Sequence, residues 1–137
     1  MSNRKLGNDF EQRLCEILFE NGFWVHNLAQ NKSGQPADII AVKRGKAFLI
    51  DAKVCSNDSF KLSRIEENQL TAMEMWINCQ NLIPWFAISI NSVIVMISYG
   101  NIKEAIDRGK KELKFSDFIN YGKTLDKWMS HIMSQVY

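Results

Sequence analysis

The sequence predicts an α/β fold, with a mixed central sheet flanked by helices, and three observations favour it. Segments with apolar residues at helical spacing alternate with groups of short apolar segments that resemble strands. Turn-forming residues separate those strands. No repeat, low-complexity tract or linker rich in Pro, Gly or Ser divides the chain of 137 residues, so we expect a single domain over residues 1–137.

The chain is predicted to begin with a helix followed by a strand. The helix is expected at residues 9–21, where Asn8 and Glu11 resemble a capping box and Gly22 is typical of a helix end. The next segment, FWVHNL at residues 23–28, has the composition of a strand, and a polar loop follows it.

A hairpin and a second helix come next. Residues 37–54 are two apolar segments joined by a turn at residues 43–46, which predicts a β-hairpin. The second helix is expected at residues 64–79, because Ser63 and Glu66 form a Ser-x-x-Glu capping box before an apolar periodic segment.

The last third of the chain is predicted to contain two strands and a helical tail. PWFAISI at residues 84–90 and SVIVMISYG at residues 92–100 are apolar segments joined at Asn91 and Ser92. The remainder indicates short helical pieces, with an amphipathic last helix at residues 125–136.

Three ionisable side chains interrupt the apolar hairpin. Pairing its strands symmetrically about Arg44 and Gly45 places Asp38 opposite Asp51, with Lys53 on the same face, whereas a turn with a bulge would shift the register by one residue. Each residue alone is typical of a solvated strand position, but opposed carboxylates in apolar strands repel each other. Mg²⁺ is commonly held by one or two carboxylates with phosphate oxygens and water. The combination therefore predicts a metal site, in which the ammonium group orients a water or neutralises developing charge.

These motifs resemble the PD-(D/E)XK nuclease superfamily. The matching elements are PAD, which contains Asp38, DAK, which contains Asp51 and Lys53, and Glu11 in NDFEQRL. Within the superfamily, the chain is most similar to Holliday junction resolvases of the RecU and archaeal Hjc type. The similarity lies in GNDFEQRLCEILFENGFWV, which is like their opening helix and first strand, and in SFKLSRIEENQLTAMEMW after the DAK motif. The resemblance implies a restriction-endonuclease-like fold.

Two features differ from these resolvases. Asp51 stands where they usually have Glu, which shortens the reach of the carboxylate by one methylene. RecU proteins carry a protruding stalk between their first two core strands, whereas only AQNKSGQ is available here.

The resemblance also implies a mechanism and a set of site residues. It implies hydrolysis of DNA phosphodiester bonds by a homodimer that requires Mg²⁺, with Mn²⁺ able to substitute. The implied catalytic residues are Glu11, Asp38, Asp51, Lys53 and Gln69. The implied metal ligands are Asp38, Asp51, the Ala52 carbonyl and Glu11. The expected nucleic-acid contacts are Lys32 and Ser33, from the resemblance, and the basic residues Arg4 and Lys5.

Composition limits the remaining classes of function. The net charge of +2 permits a nucleic-acid partner without requiring one. Three widely spaced cysteines without a CxxC pair are typical of reduced thiols, so we expect a cytoplasmic protein without disulfides. No apolar segment reaches the roughly 20 residues of a membrane helix, and the two histidines lack the spacing of a zinc site.

The sequence therefore predicts a metal-dependent, structure-selective DNA endonuclease, in particular a Holliday junction resolvase that acts on four-way junctions in recombination. One alternative is another nuclease of the superfamily, of the restriction, repair or flap type. A second alternative is a non-catalytic DNA-binding module that keeps the fold. The apolar strands at residues 84–90 and 92–99, or the helix containing Trp128, are candidates for the dimer interface.

Overall fold

The structure is a computed structural model that describes residues 3–28 and 37–134, with side chains described for residues 5–28 and 37–132. The described helices and strands, in chain order, are α1 (Asn3–Glu20), β1 (Trp24–Asn27), β2 (Ile39–Lys43), β3 (Lys46–Val54), β4 (Ser59–Lys61), a 3₁₀ turn (Leu62–Arg64), α2 (Glu67–Asn78), β5 (Trp85–Ile90), β6 (Val93–Ser98), α3 (Tyr99–Asp107), β7 (Glu112–Lys114), α4 (Phe115–Tyr121), β8 (Lys123–Thr124) and α5 (Leu125–Ser134).

The central sheet has six strands in the order β1-β2-β3-β5-β6-β8. Strands β3 and β5 pair in parallel and all other neighbours pair antiparallel. A parallel pair needs a crossover connection, and the segment that contains β4 and α2 supplies it. Strands β4 and β7 form a separate two-stranded sheet. The predicted mixed sheet with flanking helices is confirmed.

Helices cover both faces of the sheet. Successive residues of β3 point to opposite sides, so the strand contributes side chains to a core on each face. Phe48 and Ile50 pack in one core with α1 and α5, and Trp128 lies fully buried in that core. Leu49 packs in the other core, where Met73 of α2 is also buried. Trp128 and most side chains of β5 and β6 are buried within the chain and belong to its core, and the dimer interface stays a prediction.

The hairpin has the predicted symmetric register. Ile40 pairs with Leu49 and Val42 with Ala47. Arg44 and Gly45 have φ angles of 51° and 79°, both in the left-handed region. Two such central residues are the requirement of a type I′ turn, whose twist matches that of the flanking strands. The two-residue turn therefore fixes the pairing without a bulge.

Both predicted helix starts are wrong. Helix α1 begins at Asn3, so Asn8 lies inside the helix instead of capping it. Helix α2 begins at Glu67, after Ser63 has entered the 3₁₀ turn. Leu62, directly before Ser63, and Ile65, two residues after it, are both buried in the core. Apolar residues three apart suit the 3.0-residue period of a 3₁₀ turn. Burial of these two side chains therefore favours a 3₁₀ turn at Ser63, and α2 begins only after it.

Two further features of the fold differ from their predictions. Strand β6 ends at Ser98, whose Oγ accepts a hydrogen bond from the backbone N–H of Asn101 and caps α3. The short strands β4 and β7 are separated by 50 residues and were not predicted, because three-residue segments carry little period-two signal. The last predicted helix is confirmed as α5, and residues 135–137 lie outside the described part. Within the described part, no helix is long and apolar enough to cross a membrane.

Candidate active site

The two aspartates of the hairpin lie side by side where β2 begins. The register that pairs Ile39 with Ile50 continues to Asp38, whose backbone N–H donates to the Ile50 carbonyl at 3.2 Å. Asp38 Oδ2 accepts a hydrogen bond of 2.8 Å from the backbone N–H of Ala52. The main chain of one strand therefore holds the carboxylate of the other, next to Asp51.

Asp51 is a buried carboxylate with incomplete hydrogen bonding. The residue is fully buried, and its Oδ1 accepts a hydrogen bond of 3.3 Å from Gln69 Nε2. Its Oδ2 lies 3.3 Å from Lys53 Nζ, but no described residue donates an aligned hydrogen bond to it. Burial raises the pKa of Asp51 well above its ordinary value, Lys53 lowers it, and Asp38 raises it again. The attraction of one ammonium group does not offset burial beside a second carboxylate.

Lys53 and Gln69 hold each other in place. Lys53 Nζ donates to Gln69 Oε1 at 3.3 Å, and the same Oε1 accepts the backbone N–H of Glu66 at 3.1 Å. Gln69 thus bridges the first turn of α2 to both Asp51 and Lys53. Gln69 does not line the cavity described below, and its contacts are those of a positioning residue for the other two.

Glu11 approaches from the opposite face of the sheet. Helix α1 packs on the face of Phe48 and Ile50, whereas Asp51 and Lys53 point to the face of α2. Glu11 is nevertheless 8% exposed and lines the same cavity as Asp38. The pKa of the neighbouring Cys15 thiol is raised to about 11, chiefly by burial and then by the charges of Glu11 and Asp38, in that order. The carboxylates of Glu11 and Asp38 therefore both lie close to Cys15, at the end of the sheet where β2 begins.

A cavity of about 470 Å³ opens at this point. Of the predicted site residues, Glu11, Asp38, Ala52 and Lys53 line it, while Asp51 lies buried behind Lys53. Lining residues that the sequence analysis missed come mainly from one polar segment, CSNDSFKLSR, immediately after β3. They are Cys55, Ser56, Asn57, Ser59, Lys61 and Arg64. The position of this segment directly after the DAK strand was the available signal.

Two of these missed residues fix the wall of the cavity. Arg64 Nη1 donates to the Val54 carbonyl at 2.6 Å, and its guanidinium lies 5.1 Å from the centre of the Phe60 ring. Asn57 Oδ1 accepts the backbone N–H of Ser59 at 3.0 Å. The segment after β3 is therefore held in a defined shape beside the acids.

The residues present fit a hard divalent cation. No group of three His, Cys, Asp or Glu side chains among the described residues encloses one metal position. Two adjacent carboxylates with a backbone carbonyl do suit Mg²⁺, which keeps several waters and takes phosphate oxygens as further ligands. No described residue donates an aligned hydrogen bond to the buried Oδ2 of Asp51, and the pKa of its carboxyl is raised. A bound cation would relieve both effects.

The four expected nucleic-acid contacts are only partly described. Lys5 is exposed on α1 and pairs with Asp9 at 3.4 Å, directly before the cavity residues Leu6 and Gly7. The side chain of Arg4 and the whole of Lys32 and Ser33 lie outside the described residues. Their predicted contacts stay predictions.

The raised pKa of Asp51 predicts an unusual pH dependence of stability. The folded, metal-free protein keeps a proton on this carboxyl at pH values where the unfolded chain, with a pKa near 3.8, has lost it. Its contribution to the free energy of unfolding is therefore present at low pH and is lost as pH rises through the folded-state pKa. Urea unfolding in EDTA should show that the wild type loses stability with rising pH relative to Asp51→Asn. A difference that does not change with pH would contradict the shift.

Comparison with known proteins gives a family and a fold. The family model described as "Archaeal holliday junction resolvase (hjc)" matches residues 1–126. The solved structure of Hjc from Archaeoglobus fulgidus, a Holliday junction resolvase from an archaeal hyperthermophile, superposes with a TM-score of 0.69 at 16% identity. The match covers 90% of this chain and 99% of that one. No curated protein sequence matches significantly.

The two findings support different statements. At 16% identity, the A. fulgidus structure shows that the fold is shared, including the mixed sheet and its flanking helices. The family model covers nearly the whole chain and favours a resolvase over a restriction, repair or flap nuclease and over a silent DNA-binding module. The chain belongs to the archaeal Holliday junction resolvase family, and it is a structure-selective, metal-dependent DNA endonuclease.

Proposed function

We propose that the cofactor is Mg²⁺, held by Asp38, Asp51 and the Ala52 carbonyl, with Glu11 supporting it or its water from α1. The observation that carries this proposal is the fully buried Asp51 carboxylate, whose Oδ2 has no aligned donor among the described residues and lies beside Asp38. When bound, the ion supplies an acidified water and stabilises charge on the phosphate. Mn²⁺ has similar oxygen preferences and should substitute for it.

Lys53 is the proposed electrostatic catalyst. Its ammonium group is fixed between Asp51 Oδ2 and Gln69 Oε1, each 3.3 Å away, and the residue lines the cavity. A preorganised cation in a poorly solvated site stabilises negative charge more effectively than the same cation in water. Lys53 would therefore hold the attacking water or neutralise charge on the phosphate oxygens, while Gln69 keeps its position.

We propose that the DNA backbone is held by Arg4, Lys5, Lys32 and Ser33. Lys5 is exposed beside the cavity wall, and Arg4 precedes it in sequence. Lys32 and Ser33 come shortly before Asp38 in the sequence, and their contact with phosphate rests on the family resemblance. Such contacts position the duplex without reading its sequence.

We propose that the active form is a homodimer in the cytoplasm, with residues 1–137 acting as one nuclease domain. The described part of the chain contains one such acidic cavity, whereas resolution of a four-way junction requires two cuts in strands of matching polarity. A twofold dimer places two identical sites in that relation. Light scattering during gel filtration, with and without a four-way junction, measures the assembly, and a monomer bound to each junction would contradict it.

Cleavage assays test the metal and the substrate together. A labelled four-way junction and a linear duplex of the same sequence are incubated with Mg²⁺, Mn²⁺ or EDTA. We expect junction cleavage with either metal, none in EDTA, and little cleavage of the duplex. Equal cutting of both substrates would contradict junction selectivity.

Metal binding also has a readout that is independent of cleavage. A ligand that binds only the folded state stabilises it by about 2.7 kcal/mol at 100 times its Kd. Mg²⁺ should therefore raise the melting temperature of the wild type, and EDTA should reverse the rise. Asp51→Asn should show no such rise, and an equal rise in that variant would contradict the proposed ligand.

A further inference from the structure

Two aromatic side chains stand exposed on the edge strand of the sheet. Trp24 and His26 lie two residues apart on β1, so they share one face, and Trp24 is 60% exposed. Their rings are parallel, with an interplanar angle of 11° and centroids 6.0 Å apart. Phe23 and Val25 point to the other face and pack in the core with α1 and α5. The aromatic pair is therefore ordered on a strand that the core holds from behind.

The register places the aromatic pair on the same face as the catalytic acids. Trp24 pairs with Val42 and His26 pairs with Ile40, while the backbone N–H of Leu28 donates to the Asp38 carbonyl at 2.7 Å. His26 therefore lies about 7 Å along the strand from Asp38, and Trp24 about 7 Å further. At these distances, the aromatic pair could contact a nucleotide only a few positions from the proposed scissile phosphate.

The other end of the aromatic pair meets the basic turn, residues 43–46. The turn carries Lys43, Arg44 and Lys46, and Arg44 is exposed. Lys43 donates to the Asn21 carbonyl and lies over the Phe23 ring, so its contacts are internal. The turn is about 17 Å along β2 from Asp38. An acidic metal site, an aromatic surface and a cationic tip thus follow one another along a single face.

We propose that Trp24 and His26 form a stacking site for an unpaired nucleobase of the DNA substrate, next to the junction crossover. The face of an exposed indole is accessible to any base, because every base presents a π surface. Arg44 at the tip would contact a phosphate of the same strand. The inference rests on the family's action on junctions, and it goes beyond the metal site because it assigns residues that bind substrate without entering the chemistry.

Binding measurements without metal test the stacking site apart from catalysis. Two junctions with identical arms are compared in EDTA, one fully paired and one with unpaired thymines at the crossover. Loss of one base–aromatic stack corresponds to roughly 5- to 150-fold weaker binding. Trp24→Ala should weaken binding to the unpaired junction by that factor and binding to the paired junction by less. Trp24→Phe should retain most of the affinity for both junctions. Phe19→Ala is the control, because Phe19 is 72% exposed on α1, and α1 packs on the face of the sheet opposite Trp24.

Tryptophan fluorescence gives a readout that a purely structural role would not change. Of the four tryptophans in the sequence, all within the described residues, Trp24 is the exposed one. Junction binding should quench fluorescence in the wild type and much less in Trp24→Phe. An equal loss of affinity on both junctions, or a changed oligomeric state in Trp24→Ala with unchanged affinity, would overturn the proposal. Wild-type protein that binds the junction in EDTA but never cleaves it with metal would overturn the metal mechanism and leave the stacking result valid.

Discussion

Replacing Asp51 with Asn should reduce junction cleavage by about 1,000-fold or more, a loss of about 4 kcal/mol of transition-state stabilisation, while junction binding is retained. The substitution keeps the shape of the side chain and an oxygen that can accept from Gln69 Nε2. It removes the charge that would hold a cation beside Asp38. Single-turnover cleavage at saturating enzyme, together with binding measured in EDTA, separates the two effects.

The same variant should be no less stable than the wild type when metal is absent. The pKa of Asp51 is raised because burial and Asp38 disfavour its charge more than Lys53 favours it, so a neutral amide relieves that conflict. Asp126→Asn, an exposed position on α5, is the matched control and should leave cleavage unchanged. Asp51→Asn protein that cleaves junctions at the wild-type rate would disprove the mechanism. Strong destabilisation in EDTA would instead contradict the account of its burial.

Replacing Lys53 with Met should reduce the rate of cleavage by roughly 100- to 1,000-fold, which is typical for loss of one preorganised donor to developing charge. Met keeps most of the length of the side chain but removes the ammonium group that lies 3.3 Å from Asp51 Oδ2 and from Gln69 Oε1. Because the proposed role is in the transition state, the loss should appear in the first-order rate constant of single-turnover cleavage. The affinity for the junction should change little.

Two controls make the Lys53 result specific. Lys127→Met removes an exposed lysine on α5, outside the cavity, and should cleave normally. Lys53→Arg keeps the charge but presents a planar fork in place of a compact ammonium, so it should recover only part of the rate. If Lys53→Met lowers junction affinity as strongly as it lowers the rate, Lys53 binds the substrate instead of promoting the reaction.

The hairpin shows how far local sequence reasoning reaches. Its register follows from the two-residue Arg44-Gly45 turn, and period-two alternation then places Asp38 beside Asp51 with Lys53 on the same face. These relations depend on neighbours within about 15 residues, and alternation and turn chemistry act over that range. The helix starts at Asn8 and Ser63 were predicted by equally local rules and were wrong, because a capping motif is a weak preference that core packing overrides.

The sequence by itself determined the mixed α/β class, the paired acidic strands and the predicted metal chemistry, because each follows from patterns between residues close in the chain. Only the tertiary structure decided that Glu11 reaches the site from the opposite face of the sheet, that Gln69 connects α2 to Asp51 and Lys53, and that the segment from Cys55 to Arg64 walls the cavity. It also placed Trp24 and His26 on the face of Asp38. These arrangements depend on how helices pack across the sheet and which strands become neighbours, and contacts between residues distant in sequence leave no periodic signal in a single chain.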